Sequence, residues 1–185
     1  MSAPVGRDEA ELRDLARLHV RAGLRSGDDL RATMVEAVEV QMPGTDADVL
    51  ARAWVAAAQR DLAAEAATWS APTDHDRLVA ALDECRDHGV VVLVGVDDPA
   101  RVRAAVEAAP ATPRGALWFG EQAVWRSVDD AVLTLGLHHP DGSLAGPQSP
   151  FTVAVLACLA RHGITARWHE GRLEARVRWQ RRPGR

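Results

Sequence analysis

The chain has no Lys and no Tyr, and its 185 residues include only two Cys and two Phe. Without Lys there is no Schiff-base amine and no phosphate-loop lysine. Without Tyr there is no phenolic general acid. Two cysteines are too few for a disulfide scaffold or, by themselves, a four-cysteine zinc site. No apolar run is longer than eight residues, whereas a membrane-spanning helix takes about 20. The stretch from Met1 to Glu9 turns acidic before any apolar run, so no secretory leader and no membrane anchor are expected, and a cytoplasmic location is. No Gly-x-Ser-x-Gly elbow occurs, and Gly136, Gly142 and Gly146 match no phosphate-binding pattern.

What is present suits a globular domain: 47% hydrophobic and 26% charged residues. Every basic side chain other than His is Arg, and Ala makes up about a fifth of the chain. Charge is uneven. From Arg161 onward eight Arg face only Glu170 and Glu174, a net of +6, against −10 for residues 1–160. Such asymmetry marks a surface for an acidic protein or a small molecule. Nucleic acid is not expected as a partner. The helix that follows Ser26-Gly27 carries Glu36 and Glu39 with only Arg31, the wrong sign for a DNA-reading element.

Apolar spacing predicts helices over about 9–24, 29–41 and 47–68, with Asp28 and Asp46 as caps. A cap at Thr73-Asp74 opens another helix to His88, closed by Gly89. Val90 to Val96 reads as a strand buried on both faces. Asp98-Pro99 starts a helix that Pro110 and Pro113 end. Strands follow at about 116–120 and 132–139, around a helical turn or two over 121–129. Pro150 to His162 is an apolar helix. Ile164, Ala166 and Trp168, then Leu173, Ala175, Val177 and Trp179, alternate with polar residues about a turn at Glu170-Gly171. In that hairpin Trp168 opposes Leu173 and Arg167 opposes Glu174, which turns the tryptophans inward and the guanidinium groups to water. The expected fold is α+β: an N-terminal helical segment, 1–70, packed on a mostly antiparallel five-strand sheet with helices mainly on one face, 71–182, and a tail, 183–185, with the first two forming one continuous domain.

Certain residues carry a resemblance. They are Trp69-Ser-Ala-Pro-Thr-Asp-His-Asp-Arg-Leu78, Gly89-Val90 opening a strand, Gly163-Ile164, Trp168-His-Glu-Gly171 and Trp179-Gln-Arg-Arg182. Together they resemble the pattern of an uncharacterised actinobacterial domain family of unknown function, over about Leu12 to Arg182. The resemblance implies an intracellular α+β domain without an assigned activity, and it brings no catalytic residues. In that family several cysteines follow the strand corresponding to Val90–Val96. Here the place reads Gly95-Val-Asp-Asp-Pro99, so no metal or redox role carries over from them.

Two surfaces are candidates for function. The first is the Arg-rich hairpin face of Arg167, His169, Arg172, Arg176 and Arg178. It makes a non-catalytic binding or interaction domain the first reading. The alternative is a small-molecule-binding protein or small enzyme, with a pocket of tryptophans and carboxylates: Trp69, Asp74, Asp76, Arg77, Trp118, Glu121 and Trp125. No catalytic residue, metal or cofactor is assigned. Asp74 and Asp76 read as helix-start carboxylates, and residues 74 and 76 point about 200° apart on a helix. Cys85/His88 and Cys158/His162 would make a Cys2His2 set, but His at helix ends and buried Cys account for the pattern. His138-His139 reads as a sheet-edge feature.

Overall fold

The computed structural model describes residues 5–109 and 111–184, with side chains from residue 8. Met1 to Pro4, on which the leader reading partly rests, Pro110 and Arg185 lie outside the described residues. The chain divides into two compact units, one of the helices before Ser70 with the segment from Arg181, the other of residues 70–180.

The first unit holds α1 (Val5–Ala22), α2 (Gly27–Gln41) and α3 (Ala47–Ala66). Residues three and four apart meet on one helix face. Leu12 and Ala16 of α1, Leu30, Met34 and Val38 of α2, and Ala51 and Trp54 of α3 therefore close one core. The N-cap of α2 is Ser26, not the expected Asp28. Ser26 is extended (φ −66, ψ 164), which holds its hydroxyl over the Asp29 amide at 3.2 Å. Asp46 caps α3 as expected, accepting from the Val49 amide. At the other end of α3, Arg182 donates to the carbonyls of Ala66 (2.9 Å) and Trp69 (2.8 Å), groups a helix terminus leaves unpaired.

The second unit is α+β. It comprises α4 (Asp74–Asp87), β1 (Val90–Val94), α5 (Pro99–Glu107), β2 (Gly115–Phe119), α6 (Glu121–Asp130), β3 (Val132–His138), α7 (Pro150–Arg161), β4 (Ala166–His169) and β5 (Arg172–Arg176). The sheet order is β1-β2-β3-β5-β4. Only β1 and β2 run parallel; the other three pairs are antiparallel. No helix among the described residues is long and apolar enough to cross a membrane.

The hairpin register is the one the alternation predicts, Trp168 opposite Leu173 and Arg167 opposite Glu174. Glu170 and Gly171 turn the chain at positive φ (47° and 82°), which suits a tight hairpin turn. Trp179 is buried and Trp168 half-buried, while Arg167, Arg172, Arg176 and Arg178 are exposed. Residues of one parity face α4 and α7: Leu117, Phe119, Leu133, Leu135, Leu137, Leu173 and Ala175, all at most 2% exposed. Gly115 shares that face, and a Cβ there would come within 2.8 Å of the Phe151 ring of α7.

One expectation fails. Val90 to Val96 is not a strand buried on both sides. It ends at Val94, lies at the sheet edge, and leaves Val94 38% exposed. An apolar run does not report strand position; that is set by which strands pair outside it.

Candidate functional site

The opposite face of the sheet is only half covered. α5 packs Val102 and Val106 on Val91, Leu93, Ala116 and Trp118, the β1–β2 half. The β3–β5–β4 half turns Thr134, Gly136, Glu174, Arg172 and His169 toward a cleft of about 450 Å³. Asp97 and the α6 side chains Gln122 and Arg126 form its other wall.

The floor of the cleft is the Trp118 indole. Trp118 pairs with Gly136 across β2 and β3. A Cβ on Gly136 would come within 2.5 Å of the indole, so the strand glycine is what lets the ring lie against the sheet. His138 stacks beside the ring at 6.0 Å and 18°, and the Arg172 guanidinium lies over it at 5.7 Å. The Trp118 Nε1, Thr134 Oγ1 and His138 Nδ1 atoms are buried with no hydrogen-bond partner among the described residues. Unmet buried polar groups are uncommon and call for a reason.

Charge around the cleft is only partly compensated. Arg167 pairs with Glu174 at 3.0 Å, and His169 stands 3.8 Å from Glu170. Asp97 is held by the Glu121 amide at 3.1 Å, in the space that the missing side chain of Gly120 leaves open. Arg126 and Arg172 make no ion pair among the described residues. Burial, then the charges of Arg103 and Arg172, push the His138 imidazole below its ordinary pKa. His138 is therefore a buried ring stacked on Trp118, not the edge feature its place at a strand end suggests.

The structure brings together members of both sequence-derived candidate sets, two of the five hairpin residues and one of the seven pocket residues. Trp118, His169 and Arg172 share the cleft. Arg176 lines a neighbouring depression with Arg126, Thr165 and Arg167. Arg178 is exposed beyond β5. Asp74, Asp76 and Arg77 do not line the cleft. Thr73, not Asp74, caps α4: its hydroxyl accepts from the Asp76 amide at 3.1 Å, and Asp76 accepts from the Thr73 amide at 2.9 Å, a capping box. Asp74 instead accepts from the Arg178 amide at 3.1 Å and pairs with Arg77 at 3.3 Å. Trp69 belongs to the first unit. Glu121 opens α6, and Trp125 is half-buried on it. Sequence reasoning missed Arg126, Thr134 and Gly136. A glycine inside the strand pattern of 132–139 was the available signal, because it marks a close approach.

A second cluster lies where α4 packs on α7. Cys85 Sγ and Cys158 Sγ are 3.6 Å apart. Glu84 accepts from Arg161 and is 2.7 Å from His162 Nε2. Burial first, then the neighbouring Cys158 thiol, pushes Cys85 up to about 12, and burial raises Cys158 as well. Hydrogen bonds from Arg161, then His162, hold Glu84 down at about 2. Neutral thiols are poor nucleophiles. His88, half of the sequence-derived Cys2His2 set, is exposed and 3.9 Å from Glu84.

By class this is an α+β domain with a mostly antiparallel sheet and one polar half-face. The chain belongs to a family described as a domain of unknown function, DUF6891, whose model matches residues 6–183. Comparison with curated proteins and with solved structures gives no match.

Proposed function

We propose that this chain is a non-catalytic, cytoplasmic binding protein whose ligand is a small molecule with an anionic group on a planar body. The carrying observation is that Arg126 and Arg172, two guanidinium groups without an ion pair among the described residues, line one cleft floored by the Trp118 indole. Guanidinium forks match carboxylate and phosphoryl oxygens, and an indole face takes a flat ring. The cleft volume of about 450 Å³ lies within the usual range for small-molecule sites. The unpartnered Thr134 hydroxyl and Trp118 N–H add polar groups that a ligand can satisfy once Arg172 moves off the ring. No metal, cofactor or nucleic acid enters this reading.

A second reading, an acidic protein seated on the hairpin face, is favoured by Arg176 and Arg178. Both are exposed outside the cleft.

The test is a titration followed by the indole N–H resonances, with Trp118→Phe identifying the relevant one. Benzoate is expected to move the Trp118 resonance saturably and acetate is not; the response disappears in Arg172→Ala. Absence of any saturable benzoate shift up to about 10 mM removes the small-molecule reading. Capture of a defined acidic peptide, lost on charge reversal at Arg176 and Arg178 while the benzoate response stays absent, favours the second.

A further inference from the structure

The residues that meet between α4 and α7 make a donor set with no part in the cleft. We propose that Cys85, Cys158, His162 and Glu84 bind one divalent zinc-class cation. The Glu84 carboxylate, Cys158 Sγ and a His162 ring nitrogen lie within 4.8 Å of one another, the one such group among the described residues. Cys85 Sγ stands 3.6 Å from Cys158 Sγ. Two sulfurs each about 2.3 Å from a tetrahedral zinc are separated by about 3.8 Å, so the thiols already stand at nearly the spacing the ion requires. They are too far apart to be bonded to each other, and both cysteines are free.

The chemistry selects the metal. Two thiolates, an imidazole and one carboxylate suit zinc or cobalt, and not the all-oxygen preference of magnesium or calcium. Helix geometry supplies the arrangement. Cys158 and His162 are one turn apart at the end of α7, on the same face. Glu84 and Cys85 are neighbours on α4 and turn toward α7 from either side of that contact, with Cys158 also donating to the Ala81 carbonyl at 3.3 Å.

Charge is balanced by a residue already in place. Two thiolates, a carboxylate and a dication leave one negative charge. Arg161 bonds the Glu84 carboxylate through Nε at 3.1 Å, offsets that charge and orients the ligand from outside, as outer partners of metal ligands do. Binding displaces the two thiol protons to solvent and opens the 2.7 Å contact between His162 and Glu84. Cys85, Cys158 and Arg161 also line a cavity of about 250 Å³, which gives the ion an approach from the surface.

The test uses the full chain, metal-free and reduced, titrated with Co²⁺ in place of Zn²⁺. One equivalent is expected to produce thiolate-to-cobalt charge-transfer absorption with the ligand-field bands of a tetrahedral site, and Zn²⁺ is expected to displace both. Cys158→Ser weakens the charge-transfer band, and replacing both cysteines abolishes it. His162→Gln and Glu84→Gln each weaken affinity, the latter by about tenfold or more. His88→Gln leaves it unchanged, which separates this set from the one read off the sequence. If Cys158→Ser fails to fold, the wild-type thermal midpoint must still rise with one equivalent of Zn²⁺ and fall back with chelator. Absence of the cobalt spectrum, its survival at full intensity in Cys158→Ser, or its loss in His88→Gln overturns the site.

Discussion

The same residues of β3 and β5 build two unlike surfaces. Leu133, Leu135, Leu173 and Ala175 are wholly buried on one side. Thr134, Gly136, Arg172 and Glu174, their immediate neighbours in the chain, line the cleft on the other. Successive side chains of a strand point to opposite faces, so one alternation serves both core and site. The difference between the faces is what covers them. α4 and α7 exclude water from one, whereas α5 reaches only the β1–β2 half of the other. A polar face left uncovered costs little, because its charges stay hydrated; the same charges under a helix would have to be paired or neutralised.

The sharpest way to break this comparison is to exchange loss on the two sides. Leu173→Ala opens a hole in a fully buried site and is expected to cost about 2–5 kcal/mol, read by chemical denaturation. Glu174→Ala, one residue on, removes an exposed pair with Arg167 and costs under about 1 kcal/mol. Equal losses would mean that the cleft face is packed as tightly as the core.

Gly136→Ala tests the floor of the cleft. Its Cβ meets the Trp118 indole, so a cost of about 1–3 kcal/mol is expected. In a Trp118→Leu background that cost shrinks, because the clashing ring is gone; a double-mutant cycle in stability measures the coupling. Additive effects would show that the indole does not lie against residue 136.

His138 gives a pH signature. Its folded pKa lies below the ordinary 6.5. As pH falls below about 6.5, the unfolded chain takes up a proton that the folded ring refuses. The unfolded state then binds more protons, and stability drops as pH moves toward the depressed folded value. Stability measured across this window is expected to lose that slope in His138→Asn. The smallest effect expected is in Arg172→Ala, within about 0.5 kcal/mol of wild type, since its side chain is exposed. Its ligand response nonetheless disappears, so stability and binding separate at this residue.

Much of the second unit could be read locally. The alternation from Ile164 to Trp179 sets the β4–β5 register, because a slip of one residue would expose the whole apolar set. Gly89 and Gly163, at φ of 78° and 75°, follow the last helical residues as expected of helix ends. The cleft was less legible. Arg172 and His169 stood out as polar residues on an alternating strand, but Trp118 looked like a partner of the Asp74–Arg77 cluster. That cluster turns out to close a capping box and to hold the Arg178 amide. In the sequence each cysteine pairs with a histidine along its own helix, which puts His88 in the set. Packing α4 on α7 turned Glu84 toward His162 and left His88 in water.

By itself, the order of residues determined most of the secondary elements, the hairpin register and the dry side of the two hairpin strands. These follow from spacing and turn chemistry within a few residues. Only the tertiary structure decided that β1 sits at an edge, that α5 stops short of β3, and that Arg126 and Arg172 line one cleft with Trp118. Those facts depend on which distant segments pair and which face each helix covers, and no local pattern carries that information.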